Sequence, residues 1–186
     1  MFIAIASIVV VAAGGLLAMA AAKPGHFRLQ RAGTMKAPPG QVFAALSDFR
    51  RWALWSPWET KDPAMTRRFS GPASGPGAVY EWEGNKEVGK GRMEIIEAVS
   101  PSSLRIKLDF FEPFEAHNVA EFTLASRGNS TEVTWAMHGP LPYIAKVMSV
   151  FCNMDRMVGK DFETGLANLR ALTEKEAAGT LAAATR

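Results

Sequence analysis

The stretch from Phe2 to Ala22 carries no charge, no proline and a single hydroxyl residue, Ser7, before Lys23 and Pro24 end it. Its length matches the roughly 20 residues that cross a bilayer core. Beyond it the texture changes. Phe27, Leu29, Arg31, Gly33 and Met35 alternate with Arg28, Gln30, Ala32 and Thr34, which predicts a first strand ending at Pro38-Pro39. Pro39 suits the first turn of a helix. Gln41 to Leu46 and Asp48 to Trp55 read as two short helices, broken around Ser47-Asp48 and closed by Pro57. From about Met65 to Met137 the period is two: Tyr80 and Trp82 against Glu81 and Glu83, Met93 and Ile95 against Arg92 and Glu94, Leu104, Ile106, Leu108 and Phe110 against Arg105, Lys107 and Asp109. Ala120, Phe122 and Leu124, then Val133, Trp135 and Met137, continue it. The breaks at Gly84-Asn85, Ser100-Pro101-Ser102, Pro113 and Gly128-Asn129 are turn chemistry, so the segment predicts an antiparallel meander with one wet face.

After Gly139-Pro140 the period becomes helical. Ile144, Val147, Met148, Phe151, Met154, Val158, Phe162, Leu166, Leu169 and Leu172 fall at three- and four-residue steps, a stripe that the sheet has to cover. From Glu174 the chain is Ala-rich and loses its periodicity. The pattern thus predicts a membrane anchor over 1–23, one α+β domain over 24–175 and a flexible tail over 176–186.

A cleaved signal peptide competes with the anchor, because Ala18-Met19-Ala20 supplies a small-x-small site. No basic segment precedes the apolar run, however, and the run exceeds the roughly 7–15 residues of a signal-peptide core. Lys23, Arg28 and Arg31 follow it without a nearby acid in sequence, a placement that favours a cytoplasmic domain. Gly14, Ala18 and Ala22 repeat at a spacing that pairs helices, yet an Ala-rich span produces it by chance.

Composition narrows the function. With 48% apolar and 21% charged residues, the chain has material for a packed core. The formal charge is +3 and basic residues are interspersed with acidic ones, so no nucleic-acid footprint is present. The single cysteine, Cys152, has no disulfide or zinc partner and reads as a small buried hydrophobe. Neither a metal nor a cofactor is expected.

Four segments carry a family resemblance: Arg51-Trp52-Ala53-Leu54-Trp55-Ser56-Pro57-Trp58, Tyr80-Glu81-Trp82-Glu83-Gly84-Asn85, Thr131-Glu132-Val133-Thr134-Trp135-Ala136-Met137, and the helix run from Gly159 to Leu169. With the order of elements they resemble the helix-grip fold of the START/Bet v 1-like superfamily, nearest to its polyketide cyclase/dehydrase-type bacterial members. The resemblance spans Phe27 to Glu174 and implies a curved antiparallel sheet wrapped on a long C-terminal helix. It does not fix chemistry, since the superfamily includes lipid carriers, hormone receptors and cyclases. Physically, one helix lying across a strongly curved sheet leaves space, and an apolar space of that kind is a default ligand site.

Alternation assigns Tyr80, Trp82, Met93, Ile95, Ile106, Leu108, Phe110, Asn118, Phe122, Trp135 and Met137 to the inner face, and the helix adds Phe151, Met154, Met157, Phe162 and Leu166. Methionines from Met148 to Met157 would give an adaptable wall. Periodicity does not distinguish this cavity lining from a solid core of the same residues. Asn118, between small Ala116 and Ala120, is the informative polar position; its amide is set to bond either a ligand or a neighbouring backbone group or water. His117 is the usual type of acid/base, but alternation puts it on the outer face with Glu115 and Glu121, from which only a bulge would turn it inward, and His26 and His138 form no triad or metal spacing. Glu81 and Glu83 pair across the hairpin with Lys90 and Arg92, while Lys160, Asp161 and Glu163 form a solvated helix face. Phe110-Phe111-Glu112-Pro113-Phe114 forms an aromatic corner that guards a cavity mouth, dips into a bilayer interface, or ties the corner to the last helix.

The leading expectation is a membrane-tethered domain binding a hydrophobic small molecule or lipid between sheet and helix. One rival is a cyclase or dehydratase in which Asn118, Tyr80 or His117 assists enolisation. Another is a protein-interaction module docking through the outer sheet face or the Trp52-Trp55-Trp58 segment.

Overall fold

The computed structural model describes residues 14–151 and 154–184, apart from the side chains of 151, 154 and 184. Seven strands, β1 (His26–Met35), β2 (Thr66–Ser70), β3 (Val79–Glu83), β4 (Lys90–Val99), β5 (Ser103–Glu112), β6 (Ala116–Arg127) and β7 (Ser130–Pro140), form one antiparallel sheet in the order β1-β7-β6-β5-β4-β3-β2. Between β1 and β2 run α1 (Pro39–Ser47), a 3-10 helix (Phe49–Leu54) and the one-turn α2 (Trp58–Lys61). After β7 come α3 (Tyr143–Phe151) and α4 (Met154–Ala184). The α+β class and the sheet-plus-long-helix arrangement are those of the helix-grip fold.

Local chemistry explains the boundaries. Pro39 opens α1 and the Asp48 carboxylate caps the 3-10 helix by accepting from the Arg50 amide at 2.9 Å. The β6–β7 hairpin turns on two residues, with Gly128 at φ +61°, the left-handed geometry that a II′-type loop requires at its first position. The register of β4 against β5 shifts at Lys90/Gly91 and at Ile95/Glu97, leaving Phe111 and Ile96 as extra residues. Such bulges bend a strand and raise its twist.

Several expectations need correction. The stripe after Pro140 is carried by two helices, and the sheet covers only the second: Phe162, Leu166 and Leu169 are buried, but Ile144 and Met148 on α3 stand exposed. Apolar periodicity marks one face of a helix without saying what lies against it. Residues 176–184 continue α4, and Ala177 is still buried. Most of the apolar segment expected as an anchor lies outside the described residues, as do Cys152 and the side chains of Phe151 and Met154. Residues 14–21 are helical, and among the described residues no helix is long and apolar enough to cross a membrane. This stretch is docked: the Tyr143 hydroxyl donates to the Leu17 carbonyl at 3.0 Å, and Lys23 Nζ donates to the Ser149 carbonyl at 2.9 Å and hydroxyl at 2.7 Å.

The basic residues after it find acids through the fold. Arg28 pairs with Glu121 at 3.2 Å, and Arg31 reaches both Glu163 at 2.7 Å and Asp155 at 3.1 Å. Glu163 and Asp161 are therefore tethers instead of a purely solvated face, Asp161 holding Lys61 at 2.7 Å.

Candidate ligand-binding face

The registers arrange the inner face of the sheet in rows. One row runs Tyr80, Met93, Leu108, Asn118. The next runs Ile95, Ile106, Ala120, Met137, Leu29, and a third runs Leu104, Phe122, Trp135, Arg31. On the other side of the first row, at the end of the sheet, lie Trp82, Gly91, Phe110 and Ala116.

Exposure falls stepwise along this axis. Trp82 and Phe110 are half-buried, Met93, Leu108 and Asn118 retain 7–8%, and Ile95, Ile106, Leu104 and Phe122 retain none. Residual exposure is thus greatest toward the strand ends, and beyond the Asn118 row Ala120, Met137 and Leu29 still retain 4–7%. Large exposed apolar side chains come from separate elements: Phe111 and Phe114 at the β5–β6 corner, and Ile144, Met148 and Met157 on the two last helices. Met157, expected in the cavity wall, is 65% exposed because it falls on the side of α4 turned from the sheet.

An aromatic plug closes the floor. Trp135 stacks on Phe162 of α4 with centroids 4.0 Å apart and planes 9° from parallel, and on its other side meets Phe122 at 5.0 Å and 28°. Trp55 and Trp58 meet Trp135 edge-on at 5.7 and 5.8 Å, and Trp52 packs on Trp55 at 4.8 Å. Trp52 and Trp55 are buried, so the segment considered as a docking surface belongs to the core. It also explains why Ile95, Ile106, Phe122, Trp135, Phe162 and Leu166 are closed off, as is the Tyr80 ring at 3%, while Met93, Leu108, Asn118 and Met137 keep 7–8% and Trp82 and Phe110 stand half-buried at the edge. Gly165 allows the helix this close: a Cβ there would lie 2.8 Å from Trp135 Cζ3.

Three buried polar atoms have no hydrogen-bond partner among the described residues: Asn118 Oδ1, Trp55 Nε1 and Trp135 Nε1. Such atoms are uncommon because each carries a desolvation cost. The amide of Asn118 lies against Gly139, where any Cβ would collide with Oδ1.

Tyr80 leads to a residue that carried no sequence signal, Glu59. The Tyr80 hydroxyl donates to Glu59 Oε1 at 2.7 Å and Arg67 Nε donates to Oε2 at 2.7 Å, with the Glu59 side chain only 8% exposed. Burial and the bond to Glu59 push the Tyr80 phenol well above its ordinary range, so it stays protonated. Glu59 follows Trp58 in a helix of one turn, a place where neither period nor motif marks a buried acid.

His117 lies on the outer face. Its Nδ1 sits 2.8 Å from Asp109 Oδ1 and its Nε2 3.2 Å from Glu115, and Lys107 binds the other Asp109 oxygen at 2.9 Å. The bond to Asp109 raises the histidine pKa, and burial alone would raise that of Asp109, but the bonds from Lys107 and His117 outweigh it and hold the carboxyl low. Across the β3–β4 hairpin Lys90 meets Glu83 at 3.1 Å, whereas Arg92 turns to Glu94 at 2.8 Å instead of Glu81.

An open groove of about 830 Å³ lies at the other end of the molecule, between Gln41, Arg51 and the last turns of α4, where Arg51 pairs with Glu176. It lies wide open to solvent and encloses nothing, so the graded apolar face is the better candidate for an apolar guest.

No curated protein matches the chain in sequence. Among solved structures it is similar to protein CV1439 from Chromobacterium violaceum, with 19% identity and a TM-score of 0.56 over 82% of this chain and 99% of that one. It is also similar to the Aha1 dimer protein from Colwellia psychrerythraea, at 16% identity and 0.52 over 80% and 94%. The di-domain ARO/CYC BexL from the BE-7585A biosynthetic pathway aligns at 11% identity and 0.58, over 85% of this chain and 53% of that one. At these identities the likeness concerns the fold. Residues 26–174 match the family described as polyketide cyclase / dehydrase and lipid transport, and the chain belongs to that family.

Proposed function

We propose that this domain holds an apolar small molecule or lipid against the row of Tyr80, Met93, Leu108 and Asn118, entering from the strand ends. The observation that carries the reading is the stepwise loss of exposure toward an aromatic floor, which leaves a water-touched apolar wall where a guest would displace solvent. Binding needs no bond made or broken. The family description covers lipid transport and supports this reading. Residues 2–22 would tether the domain to a bacterial inner membrane with the domain on the cytoplasmic side, next to a source of apolar ligands.

Organic extraction of the purified full-length chain followed by mass spectrometry tests the proposal. A near-stoichiometric apolar compound, or saturable binding of the neutral probe N-phenyl-1-naphthylamine, supports it. A chain that yields no extractable compound and leaves the probe dark contradicts it.

A cyclase-type reading draws on one observation, the position of Tyr80 in the same row with a buried Glu59–Arg67 pair behind it. Its mark would be turnover that disappears in Tyr80→Phe while binding persists.

A further inference from the structure

We infer, building on the binding reading above, that the guest is a neutral molecule with a hydroxyl group, an aliphatic alcohol or a phenol on an apolar body, whose O–H donates to Asn118 Oδ1. Asn118 is 7% exposed, and its oxygen is sealed from solvent with no donor among the described residues. An amide oxygen only accepts, so its partner must carry a proton to give. Asn118 is flanked along its strand by the small residues Ala116 and Ala120, and its oxygen occupies the place that a side chain on Gly139 would take.

Charge excludes the anionic relatives of such a guest. The guanidinium groups on this face are committed, Arg67 to Glu59 and Arg31 to Asp155 and Glu163. A carboxylate arriving beside Met93, Leu108 and Met137 would therefore lose its hydration without gaining a counter-ion, and its oxygens would face the oxygen of Asn118. A pure hydrocarbon would avoid that cost but leave the amide oxygen unpaired. A hydroxyl on an apolar body meets both demands.

The test is displacement of N-phenyl-1-naphthylamine from the full-length chain by 1-decanol, its isosteric methyl nonyl ether, and decanoate. The wild-type chain is expected to prefer the alcohol over the ether by about tenfold, the worth of one buried hydrogen bond, and to bind decanoate more weakly still. In Asn118→Leu the alcohol and ether should become equal, with the melting temperature unchanged or higher because an unpaired polar group has been replaced by an apolar one of similar shape. Both proteins see the same ligand mixtures, so partitioning cancels. Equal binding of alcohol and ether by the wild type, or a preference that survives Asn118→Leu, overturns the inference while leaving apolar binding intact. Failure of the probe itself to bind overturns the binding reading instead.

Discussion

Trp135 on β7 lies flat on Phe162 of α4, with ring centroids 4.0 Å apart and planes 9° from parallel. This contact joins the long helix to the sheet and forms the floor above which the candidate face opens. Phe162 is also met edge-on by Trp58 at 6.2 Å and is almost fully buried. Phe162→Ala should therefore cost about 3–5 kcal/mol in urea unfolding, through lost transfer energy and a cavity between two indoles. A loss below about 1 kcal/mol would mean that the helix is held elsewhere.

Gly165, one turn further along α4, sets two effects against each other. Alanine is favoured over glycine in a helix interior by about 1 kcal/mol. A Cβ at this position, however, would lie 2.8 Å from Trp135 Cζ3 and 3.2 Å from Pro57 Cδ. Overpacking of a core costs about 1–3 kcal/mol, so Gly165→Ala should lower stability despite its better propensity, as read by the urea midpoint. A stabilised variant would show that the aromatic plug yields to the helix.

Tyr80→Phe should separate support from catalysis. The hydroxyl is committed to buried Glu59, and removing it leaves a carboxylate oxygen short of a donor, at a cost of about 1–3 kcal/mol. Affinity for N-phenyl-1-naphthylamine should stay within about twofold, since the ring remains. A large loss of affinity with stability intact would make the phenol a ligand-contacting group.

The outer face predicts a pH profile. His117 has its pKa raised in the folded chain by Asp109, so its contribution is complete below the ordinary histidine pKa of about 6.5 and is lost as pH climbs through the folded value. Asp109, its pKa lowered by Lys107 and His117 against the opposing effect of burial, contributes above the ordinary carboxylate pKa of about 3.9 and loses that contribution as pH falls through the folded value. Stability should plateau between these two ordinary values and decline above the upper one. His117→Gln should flatten the decline in urea midpoints followed from about pH 5 to 9. An unchanged slope would assign the titration to another group.

The sheet was legible because each strand keeps one polar face. Arg105, Lys107 and Asp109 mark the outer side of β5 as clearly as Leu104, Ile106 and Leu108 mark the inner. The helix stripe was legible only in part, because Ile144 and Met148 fit the repeat of Phe162 and Leu166 yet meet no sheet. The size of the open face was not legible at all. It depends on whether Trp52, Trp55 and Trp58 turn inward, and a segment of one-turn helices has no period from which to read direction. Asn118 stood out by its small neighbours, but that its oxygen lacks a partner is a property of the assembled strands. Glu59 carried no signal, since its burial depends on Arg67 and Tyr80 arriving from other elements.

The most direct measurement is methionine-methyl NMR of the labelled full-length chain during titration with 1-decanol. The methyl resonances of Met93 and Met137, which line the open face, should shift and saturate together, while that of fully buried Met35 beyond the aromatic plug stays fixed. Movement confined to exposed Met148 and Met157, or no movement at all, would contradict a ligand seated on the inner face of the sheet.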